Sequence, residues 1–160
     1  MEIRKTNASD IETLMDVRLE MLRVVNDLPE DADFDKSLVD SSREYFLHGD
    51  QTTVIATDGG KTIGCASISY INIMPTFDHP TGKRTHLMNV YTNKAYRRQG
   101  IGKKMVEILI EEAKSKGCTE ISLDATEQGR FLYEQLGFVA NASGMVLEMT
   151  AKNRKCTCES

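Results

Sequence analysis

Apolar and polar positions recur with two different periods along this chain, and those periods divide it into elements. Ile11, Leu14, Val17, Met21, Leu22 and Val25 return every three or four residues, the spacing of one helical face, so the pattern predicts a helix over about 10–26. Ser9, three residues before Glu12, has the spacing of a capping box at its start. The same period returns over 101–116, where Met105, Ile108, Leu109 and Ala113 share a face and Gly117 marks the C-terminal stop. Weaker helical patterns cover 37–48 and 129–136. Alternating or β-rich runs predict strands at 1–5, 52–57, 61–73, 85–91, 119–125, 138–142 and 145–150. Asp58-Gly59-Gly60 joins the second and third of these as a hairpin turn. Residues 27–35 and 74–84 hold prolines, acids and glycine and read as loops.

The resulting order is β-α-α-β-β-β-α-β-α-β-β. Antiparallel runs flank a single β-α-β unit, which predicts an α/β fold: a mixed, mostly antiparallel sheet of six to seven strands with helices on both faces. A chain of 160 residues fits one domain, placed at 1–150, followed by a polar tail at 151–160 that is expected to be mobile.

Composition narrows the function. A net charge of −4 speaks against a general role on nucleic acid or a membrane surface. No run of eighteen apolar residues offers a membrane span, and the polar N-terminus does not read as a signal peptide. Cys65 and Cys118 sit in apolar contexts and read as reduced core thiols of a cytoplasmic protein. No metal is expected. Cys156 and Cys158 supply only two thiolates, and His48, His79 and His86 lack ligand spacing.

Against this mildly acidic body one segment stands out, residues 90–104. The predicted strand ending at Val90-Tyr91 passes into Arg97-Arg98-Gln99-Gly100-Ile101-Gly102-Lys103-Lys104, where the clearest helix begins. Fresh amides at a helix N-terminus have no partner within the helix, and the helix dipole favours an anion there. A Walker loop fails here, because Arg97 stands where its first Gly belongs and Lys104 where Ser or Thr belongs. A dinucleotide fingerprint fails as well, because Met105 replaces its third Gly. What remains is Arg-x-x-Gly-x-Gly at Arg97, Gly100 and Gly102, followed downstream by Leu132-Tyr133 and Gly137-Phe138.

These two motifs, in this order, resemble the acetyl-CoA motif and the downstream L-Y-x-x-x-G-F element of the GNAT superfamily of N-acetyltransferases. Residues 87–138 carry the resemblance; residues 1–86 share only the order of elements. The resemblance implies that the strands at 85–91 and 119–125 splay apart and that the pantetheine arm of acetyl-CoA lies between them. It places the diphosphate on amides of Arg98, Gln99, Gly100, Ile101, Gly102 and Lys103, with the Arg97 and Arg98 side chains as further partners. Backbone groups of Val90 and Tyr91 would hold the pantetheine amides. Thr126 and Gly129 occupy places where many members carry Asn and Ala. Thr reaches less far than Asn, and Gly permits close backbone approach.

The resemblance also implies catalytic roles. Tyr133 matches the residue that protonates the leaving thiolate. His86 stands fourteen residues before Gly100, where some members carry a general base, and imidazole titrates in a useful range. His86, Met88 and Val90 would share one strand face unless a bulge intervenes. Tyr70, His79, Glu20 and Asp78 are alternative bases without positional support. The acceptor, a small-molecule or peptide amine, would sit near the first two helices and residues 74–84, where the acids Asp27, Glu30, Asp31, Asp33 and Asp35 are either an attractant or solvated surface. The expected activity is acetyl transfer to a primary amine by direct attack in a ternary complex, by a protein that pairs as a homodimer. The rival reading is a non-catalytic acetyl-CoA sensor, which would need neither acid nor base.

Overall fold

A computed structural model describes residues 1–150; the predicted tail, with Cys156 and Cys158, lies outside the described residues. Five strands form one sheet: β1 (Glu2–Lys5), β2 (Gln51–Asp58), β3 (Lys61–Asn72), β4 (Lys83–Thr92) and β5 (Glu120–Ser122), ordered β1-β2-β3-β4-β5. The first three pairings are antiparallel and only β4–β5 is parallel. Four α-helices accompany them: α1 (Ile11–Val25), α2 (Lys36–His48), α3 (Ile101–Ser115) and α4 (Arg130–Gln135). Among the described residues, no helix is long and apolar enough to cross a membrane.

The helical stripes read in the sequence supply the buried faces, although Val25 at the end of α1 is exposed. Leu14, Val17 and Met21 of α1 pack with Ile55, Cys65 and Tyr91 on one face of the sheet. Ile101, Met105, Val106, Leu109 and Ala113 of α3 pack with Val54, Ala56, Ala66, Ile68 and Leu87 on the other. Neighbours Val54 and Ile55 thus serve opposite layers, as the strand pleat requires. Each aliphatic side chain fully buried in this way contributes roughly 1.5–3 kcal/mol.

The start of α1 differs from the predicted capping box. A box is formed by Asn7 and Asp10 around a 3-10 turn, Ala8–Asp10, that leads into α1: Asn7 Oδ1 accepts from the Ser9 amide at 2.9 Å, and Asp10 Oδ2 accepts from the Asn7 amide at 2.9 Å. Glu12 is drawn away by Arg43 of α2, with which it forms an ion pair. Asp10 also receives both terminal nitrogens of Arg4, at 2.9 and 2.7 Å. That fork, more than the opposing burial, lowers its carboxyl to about 2. A carboxyl whose folded value lies below its unfolded ~3.9 stabilises the fold above that unfolded value and loses the effect as pH falls toward 2. Asp10→Asn is therefore expected to cost about 1–2 kcal/mol at pH 7. The deficit should shrink as pH falls from 4 to 2, as read by thermal melts across that range.

Among the described residues the sheet has five strands, not six or seven. Residues 138–150 contain no strand. Alternation gives a segment the pattern of a strand, but a strand also needs a hydrogen-bonding neighbour. β5 is three residues long and offers almost no edge. The side chains of Val139, Met145, Val146, Leu147 and Met149 are accordingly more than 80 % exposed.

Two features of β4 shape its surroundings. Its pairing with β5 joins Arg84, Thr85 and His86 to Glu120, Ile121 and Ser122 and then stops, while β4 continues to Thr92. Beyond residue 86 that side of β4 has no strand beside it among the described residues. On its other side β4 carries a bulge, since Met88 pairs with Ser67 and Tyr91 with Cys65, leaving Asn89 and Val90 opposite one residue. Asn89 sits there at φ 57°. The bulge reverses the strand's parity, so Leu87 and Val90 face the α3 layer and Tyr91 faces α1. Val90 therefore does not share a face with His86 and Met88.

Candidate active site

The bend after β4 is organised by its own backbone. Asn93 Oδ1 accepts from the Ala95 amide at 3.1 Å and holds a short 3-10 turn at Lys94–Tyr96. Arg97 Nε donates to the Thr92 carbonyl at 3.0 Å and ties the bend to the strand end. Arg98 (φ 63°) and Gly100 (φ 77°) then adopt left-handed conformations, a strain for an arginine of the kind found at ligand clamps. Gly100 caps α3 without a side chain, and the first bond into the helix runs from the Lys104 amide to the Gly100 carbonyl. The amides of Ile101, Gly102 and Lys103 are left pointing out of the helix start. The side chains of Arg97, Arg98, Gln99 and Lys103 are exposed around them.

Gly102 tests whether this bend suits a ligand. A Cβ there would meet Leu132 Cδ2 at 3.5 Å and Thr92 Oγ1 at 3.7 Å, both ordinary contacts. Nothing in the protein demands a glycine at 102. The space it leaves is what an oxyanion needs to reach the amides, so the bend fits a diphosphate.

Leu132 thus places α4 near the first turn of α3. Tyr133 follows on α4, half-buried against the α3 layer that also holds Val90, with Phe138 edge-on at 5.8 Å and 72°. Its hydroxyl makes no hydrogen bond to any described residue, and burial raises its pKa above the ordinary phenol value. The phenol therefore keeps its proton and has it free to donate. A Cβ on Gly129 would crowd Tyr133 Cε2 at 3.2 Å, so that glycine makes room for the ring. Thr126 Oγ1 accepts from the Gly129 amide at 3.1 Å and closes the turn into α4.

Tyr91 contributes backbone rather than side chain. Its hydroxyl donates to Glu20 Oε1 at 2.8 Å, and burial together with that carboxylate pushes its pKa to about 12. Glu20, which also accepts from Asn93 Nδ2 at 3.1 Å, is thus engaged in holding the strand end. Beyond residue 86 the β4 edge facing the gap has no strand neighbour, so its amides and carbonyls are available to an extended ligand.

On the opposite face of the sheet lies a cleft of about 200 Å³ between α1, α2 and the bulge. Phe46, Met88 and the carbon atoms of its other residues make most of its wall apolar, and Arg18, Ser41, Tyr45, Ser67, Ser69 and Asn89 set a few polar groups into it. It draws on the first two helices but on none of residues 74–84 and none of the acids of 27–35. A larger, shallower groove over Lys5, Ile108 and Glu112 holds none of the candidate residues. His86 pairs with Ser69 in the sheet and so points to the cleft face. Its Nδ1 lies 2.8 Å from Ser122 Oγ and its Nε2 3.8 Å from Asp124 Oδ2. Of the alternative bases, Tyr70 bonds Thr52 at 2.7 Å and His79 bonds Thr119 at 2.9 Å. Neither these, nor Glu20, Asp78 or His86 itself, lines the cleft.

Sequence reasoning missed Arg18, the serines and Asn89. One signal was readable: Asn89 interrupts an otherwise apolar strand end between Met88 and Val90. Arg18 had none, because a cation on the polar side of an amphipathic helix looks like any solvated residue.

A parallel pair that opens beside an amide cradle and a protonated phenol is the architecture of an acyltransferase that draws on coenzyme A. The chain belongs to the acetyltransferase (GNAT) family, whose sequence model matches residues 17–138. It is 28 % identical over 136 residues to glucosamine 6-phosphate N-acetyltransferase of Arabidopsis thaliana, covering 85 % of this chain and 88 % of that protein. It is 34 % identical over 90 residues to the enzyme of the same name from Trypanosoma brucei brucei, covering 56 % of this chain and 59 % of that protein. Among solved structures, one from Clostridium acetobutylicum, described as a predicted acetyltransferase with acetyl-CoA, superposes with a TM-score of 0.80 at 28 % identity, covering 92 % of this chain and 95 % of that one. Acetyl-CoA is the acyl donor of the family.

Proposed function

We propose that this protein moves an acetyl group from acetyl-CoA to the primary amine of a small-molecule acceptor by direct attack. The observation that carries the reading is the open amide cradle at Gly100–Lys103 set beside a β4 edge that β5 leaves after His86. Acetyl-CoA would supply an activated thioester. Arg98, Gln99, Gly100, Ile101, Gly102 and Lys103 would hold its diphosphate, and the backbone of Val90 and Tyr91 its pantetheine arm, while Thr126 shapes the turn that carries α4. Arg97 acts in part by fixing the bend, and its exposed guanidinium adds positive charge.

Tyr133 would donate its proton to the departing sulfur. Its raised pKa and unbonded hydroxyl support that assignment. His86 would take a proton from the acceptor ammonium, directly or through water. Its place on the cleft face, with Ser122 orienting the ring, supports this. The names of the relatives make glucosamine 6-phosphate the first acceptor to try.

The test is release of free thiol from acetyl-CoA across an amine panel, with product mass as confirmation. Binding of acetyl-CoA without thiol release from any amine would replace the enzyme by a sensor. His86→Ala is expected to lower kcat/KM about 10²-fold with acetyl-CoA affinity unchanged. An unchanged kcat/KM would remove the base assignment.

A further inference from the structure

Arg18 is the one cation of the cleft between α1, α2 and β4. The residue is half-buried, and loss of solvent is the main influence on its pKa, which it lowers. A guanidinium has five N–H donors. Here Nη1 donates to Asn89 Oδ1 at 3.0 Å, and no carboxylate among the described residues pairs with it. Glu20, two residues along α1, is held by Tyr91 and Asn93. Cys65, which also acts electrostatically on Arg18, is buried and pushed to about 12, so it stays a neutral thiol. A partly desolvated cation without a counter-charge is costly unless something anionic completes it.

The surroundings are built to present that cation. Asn89 is fixed in its left-handed bulge conformation by Cys65 Sγ, which donates to its carbonyl at 3.3 Å, and its Nδ2 donates to Ser67 Oγ at 3.3 Å. Ser41, Ser42 and Ser69 add hydroxyls to the wall, and the Tyr45 hydroxyl lies 2.5 Å from Ser69 Oγ. One guanidinium with spare N–H donors, set in a largely apolar wall with Phe46 and Met88, matches an oxyanion, and no acidic side chain in the lining opposes it.

We propose that Arg18 holds an anionic group of the acceptor, a phosphate or a carboxylate, so that the substrate is an amine that also carries an oxyanion. This rests on the acetyltransferase reading, with the cleft as the acceptor site. Arg18 is then a specificity-determining residue, separated by the bulge from the donor groove.

Calorimetric titration of the CoA-saturated protein tests it with two matched pairs: glucosamine 6-phosphate against glucosamine, and an amino acid against its amide. The native protein is expected to bind the oxyanion-bearing member of one pair at least about tenfold more tightly, and the pair that responds tells phosphate from carboxylate. Arg18→Gln should bring that ratio near one, with acetyl-CoA affinity intact, and Arg18→Lys should restore part of it. A native ratio near one in both pairs, or a ratio retained by Arg18→Gln, would overturn the proposal. Thiol release, measured in parallel, keeps the two readings apart. Oxyanion-selective binding without turnover leaves the Arg18 site standing and removes the transferase, and turnover without selectivity does the reverse.

Discussion

Gly102→Asp is expected to fold at least as well as the native chain and to lose acetyl-CoA binding by about a hundredfold. The two effects come from the same atoms. Residue 102 lies in the first turn of α3, where a carboxylate meets the positive end of the helix dipole and adds about 0.3–1 kcal/mol to stability. A Cβ at that place makes only ordinary contacts, at 3.5 and 3.7 Å, so no clash offsets the gain. The same carboxylate fills the space a diphosphate must occupy and repels it. Two like charges about 4 Å apart in a half-exposed site cost about 1–4 kcal/mol, and the middle of that range is a hundredfold in affinity. Thermal melts without ligand read the first effect and titration with acetyl-CoA the second. Native affinity in a well-folded Gly102→Asp protein would move the diphosphate away from this bend.

Tyr133→Phe should lower kcat about 10²-fold or more while leaving the dissociation constant of acetyl-CoA within about twofold, because the ring stays and only the donated proton is lost. A hundredfold corresponds to about 2.7 kcal/mol of transition-state stabilisation. The variant should be as stable as the native protein or slightly more so, since the hydroxyl removed is half-buried and has no hydrogen-bond partner among the described residues. The pH profile gives an independent check. An acid works only while protonated, and burial raises this phenol above its ordinary ~10. Native activity should therefore hold to beyond pH 10 before this group limits it, and the alkaline fall assigned to Tyr133 should be missing from the Phe protein. Full kcat in Tyr133→Phe would hand the proton to solvent or to another group.

The parts of the site that a sequence displays best are those encoded locally. Gly100 and Gly102 announce a helix start open to an anion because both glycines and the helix they begin lie within a few residues of one another. Tyr133 was legible only through its partner motif, thirty-one residues beyond Gly102, and what holds it near α3 is packing against the core layer of α3, which no spacing reveals. The α1 cap was misplaced by two residues because Glu12 had a better offer from Arg43, a helix away. The strands expected at 138–142 and 145–150 had the right alternation and no neighbour to pair with.

Local sequence by itself determined most of the two buried helical stripes and the glycine-marked start of α3, since each depends on residues near one another along the chain. Only the tertiary structure decided the acceptor side. The bulge at Asn89 turns β4 over, so that Met88 and Asn89 meet Arg18 from a helix seventy-one residues earlier. It also decided where β4 and β5 part, because strand pairing is a contact between distant segments whose length neither segment encodes alone. A cation becomes a recognition group when folding removes its water and withholds a counter-charge, and those two conditions exist only in three dimensions.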